Sequence, residues 1–154
     1  MHSILLSSFI VKQNMQLPLL FPLNKKNEAP MTQLDAFIHF FQLMDLEMLD
    51  LILERNAYMD LPKPIFIKRL GRAFEILRSK SDDKLFETYT TNYRKGNNHY
   101  VDREIEFVGN HSSQRISLVV VAWKGKIRDI RDNNNLQKND LSEQRNKIIL
   151  LGNL

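Results

Sequence analysis

Apolar positions recur along this chain first at steps of three and four and then at steps of two, with the change near residue 84. Residues 34–43, LDAFIHFFQL, predict an amphipathic helix with Leu34, Phe37, Ile38 and Phe41 facing inward and His39 toward solvent. Thr32 or Asp35 stands where a helix start is expected. Asp45 interrupts the run and suits an N-cap for a second helix, LEMLDLILE, with Leu46, Leu49, Ile52 and Leu53 buried. As a catalytic carboxylate Asp45 is the weaker reading. RNAYMD is long enough only for a short strand, with Tyr58 turned inward. Pro62 and Pro64 then fit the first turn of a helix in which Phe66, Leu70, Ala73, Phe74 and Leu77 recur at steps of four and three. Gly71 inside that helix suggests close packing on a sheet. Lys68, Arg69, Arg72 and Arg78 lie off the apolar stripe or at its margin, as a solvated face or an anion-binding one.

The second half predicts strands. LFETYTTNY is rich in aromatic and threonine residues, RKGNN supplies a turn, and HYVDREIEFV alternates. Val101, Ile105 and Phe107 share one face of that strand, and Asp102, Glu104 and Glu106 the other. Arg103 falls on the apolar face, where its charge needs a partner: a carboxylate inside the fold or, less favoured, a bound ligand. After the turn GNHSSQ, Ile116, Leu118, Val120 and Ala122 point one way, and Val119, Val121 and Trp123 the other. Lys124-Gly125 is a tight hairpin into the last strand, KIRDIRD. A strand apolar on both faces needs cover on both. The preceding helices cover one. The other is expected to be closed by a terminal segment or, preferably, by a second subunit, through Val119, Val121 and Trp123.

Helices followed by antiparallel strands predict a segregated α+β fold. Residues 31–132 are expected to form a single domain of this class. Residues 1–30 read as a leader, disordered or lying before a true start at Met31; residues 133–154 read as a polar tail. Asp140 and Glu143 have capping-box spacing and allow a short helix over roughly 141–150, closed by Gly152 and docked weakly if at all.

Composition narrows the function classes. The net charge of +4 comes mostly from the flanks: residues 31–132 carry 16 Lys/Arg against 15 Asp/Glu. Nucleic-acid binding needs a concentrated basic surface and is therefore not expected. No cysteine is present, which excludes disulfides, thiol nucleophiles and zinc–thiolate sites and fits a reducing compartment. Cytoplasm is the expected location. Ile4 to Val11 are too short to span a bilayer and lack a basic flank or a clear cleavage site, so neither membrane insertion nor secretion is favoured. His2, His39, His99 and His111 are too scattered for a metal centre, and no phosphate loop, HExxH or GxSxG is present. No catalytic residue, metal or cofactor is assigned.

Three stretches, FFQLMDLEMLDLILERNAYMD, FIKRLGRAFEIL and EFVGNHSSQRISLVVVAWKGKIRDI, resemble the nuclear transport factor 2-like superfamily, the cone-shaped fold that includes SnoaL-like polyketide cyclases and ketosteroid isomerases. The resemblance spans roughly residues 34–132 and lies in element order and local pattern, not in a catalytic signature. It implies a curved sheet around the long Pro-started helix and a pocket lined by Phe41, Tyr58, Arg103 and Phe107. The implied function is a non-catalytic domain that binds a small apolar ligand, dimerises through the sheet, or both. The alternatives are an isomerase, cyclase or dehydratase, and a protein–protein adaptor. For the enzyme, Asp60 beside Tyr58 is the nearest candidate pair, although Asp60 better suits a strand end or helix cap.

Overall fold

The computed structural model describes residues 31–94, 100–133 and 146–151. Three helices come first: α1 (Gln33–Gln42), α2 (Leu46–Ile52) and α3 (Lys63–Ser79). Four strands follow, β1 (Leu85–Arg94), β2 (Tyr100–Gly109), β3 (Arg115–Trp123) and β4 (Lys126–Asp132). They form one antiparallel sheet in the order β1-β2-β3-β4, so each strand pairs with its sequence neighbours. The α+β class is therefore as expected.

Local chemistry explains where the helices begin. Thr32 caps α1 in a full capping box, its hydroxyl accepting from the Asp35 N–H while the Asp35 carboxylate accepts from the Thr32 N–H. Asp45 caps α2 as expected, accepting from the Met48 N–H at 3.1 Å. The segment expected as a short strand is a small hairpin in which Tyr58 and Leu61 exchange two backbone hydrogen bonds of 2.9 Å. Met59 and Asp60 form its turn at positive φ, so Asp60 neither ends a longer strand nor caps α3, whose N-cap is Pro62.

The core joins both layers. Leu34, Phe37, Phe40 and Phe41 of α1 pack with Phe66, Leu70, Phe74 and Leu77 of α3 and with Ile105, Phe107, Ile116, Leu118, Val120, Ile127 and Ile130 of the sheet. Phe40 takes the place expected for Ile38, which is half-buried. Met48 likewise is buried where Leu46 was expected. By backbone approach α1 lies nearest β1 and β4, while α3 packs on α2, sends Phe66, Leu70, Phe74 and Leu77 into the shared core and meets Phe41 through Phe74. Gly71 faces α2, not the sheet: a Cβ there would stand 3.0 Å from the Leu46 side chain.

Long-range polar contacts tie α1 to the last hairpin. The Leu34 N–H donates to the Gly125 carbonyl at 3.1 Å, and the Gln33 amide accepts from the Ile127 N–H at 2.7 Å while donating to the Ile52 carbonyl. Lys124 and Gly125 both have positive φ, the geometry that lets a two-residue turn follow the strand twist. The helix allowed over 141–150 lies partly outside the described residues, as do Asp140, Glu143 and Gly152. Its described part, 146–151, is not helical. It is a strap bridged in parallel to Arg115, with Ile148 and Leu150 buried beneath it. Asp132 accepts from the N–H groups of Leu150 and Leu151, and Arg69 of α3 donates to the Leu150 carbonyl at 3.0 Å.

Candidate functional site

Two regions carry the residues singled out above: the interior between helices and sheet, and the outer face of the sheet. In the interior, Phe41 on α1 and Phe107 on β2 are fully buried, with ring centroids 4.6 Å apart. Phe41 also meets Phe74 edge-on at 5.3 Å and Phe37 at 5.4 Å. At those separations the rings touch, and no space is left between them for a ligand. Tyr58 is fully buried elsewhere in the core, against Phe66 at 5.1 Å, with its hydroxyl donating to the Glu54 carbonyl at 3.0 Å. Burial first, then the Glu54 charge, pushes its pKa up to about 12, so it is a neutral phenol.

Arg103 is half-buried, and its Nε donates to the Asn92 side-chain carbonyl on β1 at 2.7 Å. The partner of that Nε is a cross-strand amide, not the carboxylate expected. The four residues expected to line one pocket are thus Phe41 and Phe107 in mutual contact, Tyr58 in a separate aromatic pair, and Arg103 on the sheet. Phe41 and Phe107, expected to border a cavity, instead meet each other across the two layers.

On the outer face, Val119, Val121 and Trp123 are half-buried and form an apolar row along β3. Trp123 is flanked by Lys124, whose Nζ is 4.7 Å from the ring centroid, and by Arg128 at 5.5 Å. On β2, Asp102, Glu104 and Glu106 run beside this row, paired in register with Val121, Val119 and Ser117. Glu106 is held by Arg115 at 2.5 Å. On β4, Arg131 is opposite Val119, Asp129 opposite Val121 and Lys126 opposite Trp123. The Arg131 Nε donates to Asp129 at 2.6 Å, and that bond raises its pKa. Farther out, Phe86 and Tyr89 of β1 are each 51% exposed.

An open groove of about 850 Å³ is lined by Asp50, Leu51, Arg55, Asp60, Pro62 and Lys63 among others. Lys63 is occupied there, donating to the Asp50 and Leu53 carbonyls and pairing with the Asp50 carboxylate at 3.2 Å. Its ammonium therefore caps the end of α2.

Two polar features escaped the sequence reading. Asp82 is a buried carboxylate that holds the β2–β3 turn, accepting from the N–H groups of His111 and Ser112 and from the Ser112 hydroxyl. Of the basic residues of α3, Arg69 and Arg78 bind the carbonyls of Leu150 and Met44, joining elements instead of presenting an anion site. Nothing local in SKSDDK separates a buried Asp82 from its exposed neighbours.

Among the described residues, no group of three or more His, Cys, Asp or Glu is placed to hold a metal ion, and no helix is long and apolar enough to cross a membrane. His39 is half-buried edge-on to Phe40, and His111 is exposed; His2 and His99 lie outside the described residues. No family model, curated protein or solved structure matches the chain.

Proposed function

We propose that this chain is a non-catalytic domain of the nuclear transport factor 2-like kind that works as a homodimer joined through the outer face of its sheet. The observation that carries this reading is the Val119–Val121–Trp123 row: three apolar side chains on a central strand, left half-buried once the helices have covered the opposite face. Protein interfaces characteristically have an apolar, aromatic centre with arginine nearby and a charged rim, and this face has that composition. Element order supports the fold type, and so do the two irregularities in strand pairing, between Glu87 and Tyr89 and between Val121 and Ala122. Bulges of this kind bend a sheet, as a cone requires.

The apolar-ligand role is left out of this proposal because Phe41 and Phe107, two of the residues expected to line the pocket, pack ring against ring. The enzyme reading has no comparable support. Asp60 is exposed in a turn, and the Tyr58 hydroxyl is engaged with Glu54.

Sedimentation velocity of the full chain tests the reading. A dimer that becomes a folded monomer on Trp123→Glu supports it. A wild-type chain that stays monomeric at high micromolar concentration, or a dimer indifferent to the substitution, removes it.

A further inference from the structure

We infer that the two copies are related by a two-fold axis running along β3, so that Glu104 of each copy faces Arg131 of the other. This rests on the dimer reading above and adds which way the two faces meet. The register supplies the geometry. Glu104 is opposite Val119, and Val119 is opposite Arg131, so the three form one line across the sheet with the charges on either side of the valine. The β2 flank carries Asp102, Glu104 and Glu106; the β4 flank carries Lys126, Arg128 and Arg131 with Asp129. The flank on one side of the apolar row is thus acidic and the other predominantly basic.

Two sheets packed face to face by a two-fold have two simple choices, an axis across the strands or one along them. An axis across the strands lays β2 on β2, bringing three carboxylates against three. An axis along β3 keeps valine and tryptophan at the centre and swaps the flanks, so that β2 of each copy covers β4 of the other. Because the interface is isologous, the Glu104–Arg131 contact then occurs twice. Glu104 is half-buried and its carboxylate has no hydrogen bond or ion pair among the described residues, and Arg131 engages Asp129 through Nε. One like-charge approach remains, Asp102 to Asp129. It is muted because Asp129 already accepts from Arg131 and from the Met59 and Ile130 N–H groups.

The experiment uses full-length Glu104→Lys and Arg131→Glu chains, alone and mixed in equal amounts, with sedimentation velocity as the readout and circular dichroism to establish that each is folded. Each single variant places like charges together twice, and its dimer should weaken about a hundredfold, while the mixture recovers the dimer because both contacts in the heterodimer are again of opposite sign. Folded variants that dissociate alone and fail to recover when mixed overturn the orientation. So does Glu104→Lys binding the wild-type chain more tightly than wild type binds itself, the signature of an axis across the strands. Either result leaves the Trp123-dependent dimer standing. A monomeric wild-type chain overturns both proposals and gives the face to residues 1–30 or to a different protein.

Discussion

Asp82, in the loop after α3, accepts the His111 N–H at 2.7 Å from a turn on the far side of two strands. The Ser112 N–H at 2.8 Å and the Ser112 hydroxyl complete its shell. Burial raises the Asp82 pKa, but the Ser112 hydroxyl, the two N–H groups and the nearby His111 more than reverse this, leaving it below its ordinary 3.8. A carboxylate so depressed stabilises the fold fully above its ordinary value and stops doing so as pH falls through the folded one. Asp82→Ala should lose about 3 kcal/mol at neutral pH, the scale of hydrogen bonds to a buried charge. In urea unfolding, the gap between the two proteins should narrow as pH drops below 3.8. A gap unchanged into strong acid would show that the depressed carboxylate is not its source.

Gly109 makes the same corner possible. A Cβ at that position would collide with the Asp82 carboxylate. Gly109→Ala should therefore destabilise the wild type by about 2 kcal/mol, of the order seen for overpacking, and cost markedly less in an Asp82→Ala background. Additive losses across that double-mutant cycle would contradict the contact.

The contact between Phe41 and Phe107 separates a filled interior from a ligand chamber. Phe107→Ala should cost about 3–5 kcal/mol in urea unfolding, the loss expected when a packed aromatic is truncated. A cost under about 1 kcal/mol would fit a side chain bordering empty space and would revive the chamber.

Tyr58 offers a test in base. Its folded pKa of about 12 lies above the ordinary 10.0, so between these values the unfolded chain releases its proton first. Stability is then whole below pH 10 and declines as pH climbs through 12. Tyr58→Phe should remove that share of the alkaline loss and delete a phase near pH 12 from the phenolate absorbance titration. The substitution should also cost about 1 kcal/mol at neutral pH for the missing hydrogen bond to Glu54. A titration curve unchanged by the substitution would refute the assignment.

The helix starts and the strands were legible because their signals are local. The caps at Thr32 and Asp45, the proline start of α3, the alternation in β2 and the Lys124-Gly125 turn all depend on residues within a few positions of one another. What was not legible depends on distance across the fold. Periodicity gives the stripe on α1 a centre but not its width, so Ile38 and Phe40 could not be ranked. Alternation sends Phe41 and Phe107 inward but does not say whether they meet. Arg103 was rightly expected to need a partner, yet Asn92 could be identified only from the β1–β2 register. Asp82 was missed because the turn that satisfies it lies some thirty positions onward.

The Gln33 bond to Ile127 spans 94 positions. During synthesis, the first turn of α1 leaves the ribosome long before the hairpin that anchors it exists. Until β2 and its Phe107 emerge, Phe37, Phe40 and Phe41 have only other helices to shelter them, so the nascent helical layer carries its aromatic surface uncovered on the side the sheet will later take.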